Sequence, residues 1–237
     1  MCLPALYVLL SMTMSSAPEA PTTVYLIPGQ GGDQRLFTHL KIADEFEVRH
    51  ILYDRPEKGL SMAQYARHLT SQIDTTGRFV IVGVSLGGML ATEMSELVPA
   101  EKVILISSAK SRRELPLQYK FQQRVPIHRL VPPKLALFGA KVLQPIVEPD
   151  RQSQKDIFKA MLADKDPVFL DRTIEMIMSW DRLEAPDNII HIHGSKDRTI
   201  PLRNVDYDYC LEGGSHMMTL TQADRVSEVL NRVLANL

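Results

Sequence analysis

The sequence predicts an α/β fold: a mostly parallel sheet of about six strands, with helices on both faces and a helical insertion. Short β-branched or apolar runs alternate with amphipathic segments, and the links between them are short. This alternation favours parallel strands joined by right-handed crossovers. It stops between residues 109 and 180, where amphipathic segments separated by prolines follow one another without a convincing strand.

The composition indicates a single folded domain. The chain has 237 residues, a formal net charge of −1 and 45% hydrophobic residues. A chain of this length buries a substantial core, whereas a net charge near zero argues against general binding to nucleic acid or to a membrane surface. Cys2 and Cys210 are the two cysteines, and such a pair defines neither a disulfide framework nor a thiolate metal site.

Residues 1–20 are expected to lie outside the catalytic fold of residues 21–237. The apolar run of residues 3–10 is followed by small polar residues, as in a signal peptide, but no Lys or Arg precedes it. The run is too short to span a membrane. An atypical signal peptide, a leader and a start codon assigned too early all stay open. A cytoplasmic location is slightly favoured, with export the alternative if residues 1–17 are a signal.

Strands are predicted where short β-rich runs are bounded by turn residues. They cover residues 22–27, 47–53, 79–82, 102–107, 188–193 and 205–211. Helices are predicted from N-cap residues and from apolar side chains at helical spacing. They begin at Asp33 and after Ser61 and cover residues 89–97 and 222–234.

The helical insertion, about residues 110–180, is predicted to cap the carboxyl edge of the sheet. Its amphipathic stretches are residues 116–123, 132–147, 150–163 and 166–180. Apolar side chains available to line a pocket beneath it are Leu135, Leu137, Phe138, Ile157, Phe158, Met161 and Phe169. An ordinary helical layer packed on the core is the alternative, because such apolar stripes are more often core than ligand contacts.

Ser85 is the predicted nucleophile. The run from Gly83 to Gly87 has the pattern G-x-S-x-G between a predicted strand and a predicted helix, the context that exposes a serine hydroxyl. A Cβ at either glycine would block the close approach of strand, turn and helix. The helix N-terminus favours a nearby anion. A glycine-rich structural turn and a phosphate site at the helix N-terminus are the alternatives.

A serine hydroxyl needs a base and a carboxylate that orients the base. His216 follows the last predicted strand, and Asp197 follows the strand before it, so both are expected at the same sheet edge as Ser85. The order Ser85, Asp197, His216 is that of a known hydrolase arrangement. Alternatively, Asp197 only caps a turn and His216 is a solvated loop histidine.

Two backbone N–H groups are predicted to stabilise an oxyanion. One belongs to Leu86, directly after the nucleophile, and the other to Gln30 in the glycine-rich loop of residues 28–32, with Gly31 in reserve. A plain tight turn is the alternative for that loop. His191 and His193 share one strand face, but no third metal ligand occurs at a telling spacing, so no metal or other cofactor is expected.

Taken together, these motifs resemble the α/β-hydrolase superfamily over residues 22–237. The matching segments are Pro28-Gly-Gln-Gly-Gly32, Gly83-Val-Ser-Leu-Gly87, His193-Gly-Ser-Lys-Asp-Arg-Thr-Ile-Pro201 and Gly213-Gly-Ser-His216. The resemblance implies a nucleophilic serine hydrolase with a helical cap. Pro28 stands where the family usually has histidine, and the first two family strands are missing, which implies a compact six-stranded version.

The expected activity is hydrolysis of a carboxylic ester, or of a thioester, through an acyl-enzyme. The expected partner is a small-molecule ester with an apolar portion, rather than nucleic acid or a membrane. Arg112 and Arg113 begin the insertion and are either carboxylate contacts or a solvated helix face. A non-catalytic receptor or binding protein on the same fold is the alternative function. The sequence does not predict the oligomeric state.

Overall fold

The structure is a computed structural model that describes residues 20–124 and 151–237. Within these residues, six strands form one sheet in the order β2-β1-β3-β4-β5-β6, and every neighbouring pair is parallel. The strands are β1 (Thr23–Ile27), β2 (Glu47–His50), β3 (Phe79–Val84), β4 (Lys102–Ile106), β5 (Ile189–Gly194) and β6 (Tyr209–Leu211). The predicted fold class is confirmed.

Seven α-helices lie in the described part of the chain. They are α1 (Met62–Leu69), α2 (Leu86–Met94), α3 (Leu117–Arg124), α4 (Lys155–Ala163), α5 (Pro167–Ser179), α6 (Met218–Thr221) and α7 (Ala223–Leu234). The predicted cap at Ser61 is present, because its hydroxyl accepts from the Gln64 N–H while the Gln64 side chain accepts from the Ser61 N–H. None of the described helices is both long and apolar enough to cross a membrane.

Helices cover both faces of the sheet because successive strand side chains point to opposite sides. Tyr25 and Ile81 point to the face covered by α1 and α2, whereas Val24 and Val82 point to the face covered by α7. These strand side chains are fully or almost fully buried. Burial on both faces explains why the central strands are continuous apolar runs rather than alternating ones.

Several predicted element boundaries are wrong. The helix expected at Asp33 is only a short 3₁₀ turn, Gln34–Phe37, although the Asp33 side chain does accept from the Arg35 N–H. The helix expected over residues 89–97 begins at Leu86, since the chain turns directly from strand to helix despite two glycines. The strand expected over 205–211 begins at Tyr209, because the 3₁₀ turn Leu202–Asn204 precedes it and the Asp206 N–H is bonded to a side chain instead of a neighbouring strand.

The regular elements that the structure describes between β4 and β5 are all helices or 3₁₀ turns. The predicted stretches 116–123, 150–163 and 166–180 correspond to α3, to a 3₁₀ turn (Arg151–Gln154) followed by α4, and to α5. The stretch 132–147, with Leu135, Leu137 and Phe138, and most of the predicted leader lie outside the described residues. The role of the insertion as a cap stays a prediction.

A buried ion pair ties the end of the insertion to α2. The Glu93 carboxylate accepts from the Trp180 indole N–H at 2.8 Å and from Arg182 Nε at 2.7 Å. Its side chain is only 8% exposed. Because α2 begins at the predicted nucleophile, this contact fixes the insertion relative to the site.

Candidate active site

Ser85 lies in a strained turn between β3 and α2. Its backbone has φ 53° and ψ −118°, a conformation that a side chain rarely adopts. A Cβ at Gly83 would overlap the Gly87 carbonyl, and a Cβ at Gly87 would overlap the Ile27 carbonyl at the end of β1. Both predicted steric reasons for the glycines are therefore confirmed.

Backbone contacts on both sides hold the Ser85 peptide in this conformation. Its N–H donates to the Ile106 carbonyl at 3.1 Å, which joins the turn to the end of β4. Its carbonyl accepts from the Ser108 hydroxyl at 2.7 Å and from the Gly88 N–H at 2.9 Å. The strained main chain is thus fixed by hydrogen bonds, and the Ser85 hydroxyl is left to face the next strand loops.

The structure brings Ser85, His216 and Asp197 together in one chain of contacts. His216 Nε2 lies 3.0 Å from Ser85 Oγ, and His216 Nδ1 lies 2.8 Å from Asp197 Oδ2. A carboxylate accepts only, so Nδ1 carries the proton and Nε2 is left to accept from the serine hydroxyl. This is the geometry by which a carboxylate orients an imidazole for proton abstraction.

Asp197 uses its two carboxylate oxygens for different purposes. Oδ1 accepts the N–H groups of Thr199 and Ile200, each at 2.8 Å, while Oδ2 faces His216. The turn-capping interpretation of Asp197 is therefore confirmed, and its second oxygen is placed to orient His216, while its catalytic role stays a prediction. Burial raises the pKa of this carboxyl, but the charge and hydrogen bond of His216 outweigh that effect and hold the pKa below its usual value.

A pair of buried histidines, His191 and His193, lies next to Asp197. His193 Nε2 is 2.8 Å from the Ile200 carbonyl oxygen and 3.5 Å from Asp197 Oδ2, and His193 Nδ1 is 3.1 Å from His191 Nε2. His191 Nδ1 lies 3.0 Å from the Asp206 carbonyl oxygen. Both rings are fully buried, and burial lowers the pKa of each, that of His191 to about 3.

The sequence suggested this histidine pair only as metal ligands, and the contact of His193 with the Asp197 carboxylate was not predicted. In the described ranges, 20–124 and 151–237, no three His, Cys, Asp or Glu side chains are arranged to hold a metal ion. The available signal was the spacing, because His193 lies near the end of β5, only four residues before Asp197.

The loop after β1 lies against the nucleophile. A Cβ on Gly29 would lie 3.3 Å from Ser85 Cβ, and the Pro28 carbonyl accepts from the Tyr53 hydroxyl at 2.6 Å. The Gln30 side chain donates to Thr173 Oγ1 at 2.8 Å, which docks the loop under α5. Within the described residues the N–H groups of Gln30 and Leu86 have no acceptor. Both are therefore free to donate to an oxyanion.

A strained serine elbow after a central parallel strand, with a histidine and an acid on later loops, defines the α/β-hydrolase class. The chain belongs to the Alpha/beta hydrolase family, whose model matches residues 24–229. No curated protein sequence matches the chain.

Solved structures share the fold at low sequence identity. A thermophilic esterase from Thermogutta terrifontis with bound malate has a TM-score of 0.71 and 18% identity, over 92% of this chain and 91% of that one. The enol-lactonase from Burkholderia xenovorans has a TM-score of 0.66 and 14% identity, over 91% and 92%. A lipase-esterase related protein from Clostridium acetobutylicum has a TM-score of 0.61 and 15% identity, over 90% and 94%.

Proposed function

We propose that this protein is a serine hydrolase that cleaves a carboxylic ester through an acyl-enzyme. The observation that carries the proposal is the continuous contact from Ser85 Oγ to His216 Nε2 at 3.0 Å and from His216 Nδ1 to Asp197 Oδ2 at 2.8 Å. Such a chain activates a hydroxyl that is otherwise a weak nucleophile.

In the first half-reaction, Ser85 Oγ attacks the carbonyl carbon while His216 Nε2 takes the hydroxyl proton. The carbonyl π electrons move to oxygen, and the resulting oxyanion accepts from the N–H groups of Leu86 and Gln30. The oxyanion then re-forms the carbonyl as the C–O bond to the alcohol breaks, and His216 gives its proton to the leaving oxygen. Asp197 stabilises the transient imidazolium, which is its main electrostatic contribution.

In the second half-reaction, water attacks the acyl carbon and His216 Nε2 takes a proton from that water. The second tetrahedral intermediate uses the same two N–H donors. It collapses with release of the carboxylic acid as Ser85 Oγ recovers its proton from His216. The original Ser85 proton leaves with the alcohol and a proton from water replaces it, so Ser85 and His216 return to their starting protonation states.

The relatives support an ester as the scissile bond. The similar structures include a thermophilic esterase and an enol-lactonase, and a lactone is a cyclic ester. A thioester would use the same residues, because its acyl carbon and oxyanion occupy the same places.

The test is hydrolysis of p-nitrophenyl esters of increasing acyl length by the parent, by Ser85→Ala and by Ser71→Ala. Ser71 is an exposed serine that precedes β3, whereas Ser85 follows that strand, so its variant controls for the same chemical change. We expect an initial burst of p-nitrophenol from the parent and the control, and loss of turnover in Ser85→Ala. Full activity in Ser85→Ala would sink the proposal.

Fluorophosphonate labelling distinguishes this function from that of a non-catalytic receptor. An activated serine reacts with the probe, so the parent is labelled once and Ser85→Ala is not labelled. A parent that neither reacts nor hydrolyses any ester would favour the receptor.

A further inference from the structure

Lys165 packs against the loop of residues 28–32, which carries the proposed oxyanion donor. It directly precedes Asp166, the N-cap of α5, and a Cβ built on Gly31 would lie 2.9 Å from Lys165 Cε and 3.1 Å from Lys165 Cδ. The lysine stem therefore packs against Gly31. Two residues earlier in the same loop, Gly29 contacts Ser85. Gly29 and Gly31 are two Cα–Cα steps apart, which span at most about 7 Å, so Lys165 and Ser85 pack against the same short loop.

The carboxylates nearest in sequence to Lys165 are held by arginines. Asp164 Oδ2 is 2.8 Å from Arg35, and Asp166 Oδ2 is 2.7 Å from Arg55. Lys165 itself makes no hydrogen bond or ion pair with any residue in the described ranges. Both neighbouring carboxylates therefore already have a cationic partner.

A partly buried ammonium group costs free energy when no anion pairs with it. Lys165 is partly buried, and burial lowers the pKa of its ammonium. A lysine commonly buries its stem and extends its charge into water. Here the stem packs against the loop of residues 28–32, and no carboxylate among the described residues pairs with the ammonium. An anion brought by a ligand would therefore offset the free-energy cost of burying the charge.

We propose that Lys165 binds a carboxylate of the substrate, so that this enzyme prefers esters that carry a free carboxylate on the acyl or alcohol side. The inference rests on the proposed ester hydrolysis and adds a substrate class to it. One ammonium matches one negative charge, which favours a carboxylate over a phosphate dianion. Lys165 thereby acts as a specificity-determining residue and takes no part in the bond-breaking steps.

The test compares kcat/KM for p-nitrophenyl butyrate with that for mono-p-nitrophenyl succinate, which has a carboxylate in place of the terminal methyl. The proteins are the parent, Lys165→Met, Lys165→Arg and Lys159→Met, where Lys159 is an exposed lysine of α4. We expect the succinate-to-butyrate ratio to fall about tenfold or more in Lys165→Met, mainly through KM, because a charge-assisted hydrogen bond is lost. Lys165→Arg should keep most of the ratio, and Lys159→Met should match the parent.

An unchanged ratio in an active and folded Lys165→Met protein would overturn the carboxylate proposal and leave the ester hydrolase proposal standing. Calorimetry of succinate binding tests the carboxylate proposal independently of ester hydrolysis. If the parent hydrolyses neither ester, succinate binding that Lys165→Met abolishes still supports the carboxylate site. Equal binding, or none, by the two proteins refutes it.

Discussion

The hydroxyl of Tyr53 positions the loop that supplies the proposed Gln30 donor. It donates to the Pro28 carbonyl at 2.6 Å, two residues before Gln30. The ring packs between Tyr65 and Phe169, with centroid distances of 6.1 Å and 5.3 Å. Burial raises the pKa of Tyr53 well above its ordinary value, so the hydroxyl stays a donor across the working pH range. Tyr53→Phe keeps the ring and removes only this donor.

The expected effect of Tyr53→Phe on kcat follows from the Pro28 carbonyl, which loses its hydrogen-bond donor. A buried polar group without its partner costs about 1–3 kcal/mol, and 1.36 kcal/mol corresponds to a tenfold change in rate. If the loss falls on the transition state, kcat decreases about 5-fold to 150-fold. Deleting an oxyanion donor outright costs about 10²–10³ in kcat. Tyr53→Phe costs less because the Gln30 N–H remains and only its orientation loosens.

Tyr65→Phe is the matched control for this change. The Tyr65 hydroxyl also donates to a backbone carbonyl at 2.6 Å, but that carbonyl belongs to Asp54, outside the oxyanion loop. Both variants should lose similar stability in urea, whereas only Tyr53→Phe should lose kcat, with KM nearly constant. Equal loss of kcat in both, or unchanged kcat in Tyr53→Phe, would refute the reasoning.

Two further predictions concern stability. Arg182→Met leaves the buried Glu93 carboxylate without its cation, so the free energy of unfolding in urea should fall by about 3–5 kcal/mol. Adding Glu93→Gln should recover part of that loss, and an unchanged midpoint in the single variant would contradict the prediction. The lowered pKa of Asp197 contributes stability that is present above its unfolded pKa and lost as pH falls through its folded pKa. Asp197→Asn should therefore lose less stability than the parent between about pH 5 and about pH 2 in thermal melts, and equal acid sensitivity would count against this.

Local sequence was sufficient to predict the elbow and the order of the site residues. A Cβ at Gly83 would overlap Gly87 within the same turn, and a Cβ at Gly87 would overlap the end of the neighbouring strand β1. Parallel strands then place Asp197 and His216 at the same edge as Ser85, so the topology alone brings them together. These features depend on short-range sterics and on strand order, both of which a sequence pattern carries.

Other contacts join residues that no local pattern relates. Glu93 and Arg182 are 89 positions apart, and Gln30 and Thr173 are 143 positions apart. Tyr53 looks like the end of a strand in sequence, yet its function in the structure is to bond the Pro28 carbonyl. Such pairs depend on how the insertion packs on the sheet, which periodicity and capping do not encode.

His191 and His193, the buried pair next to Asp197, have fewer N–H protons than hydrogen-bonding contacts. The distances indicate three hydrogen bonds: between His191 and the Asp206 carbonyl, between the two rings, and between His193 and the Ile200 carbonyl. Two neutral imidazoles supply only two N–H groups. A third proton is not held at neutral pH, because burial lowers the pKa of both rings, that of His191 to about 3. One contact is therefore always unprotonated. The Asp197 carboxylate, 3.5 Å from His193 Nε2, favours the tautomer with the proton on that nitrogen. The charge of Asp197 thus selects the tautomer of His193, a ring that approaches the same carboxylate oxygen, Oδ2, as His216 does.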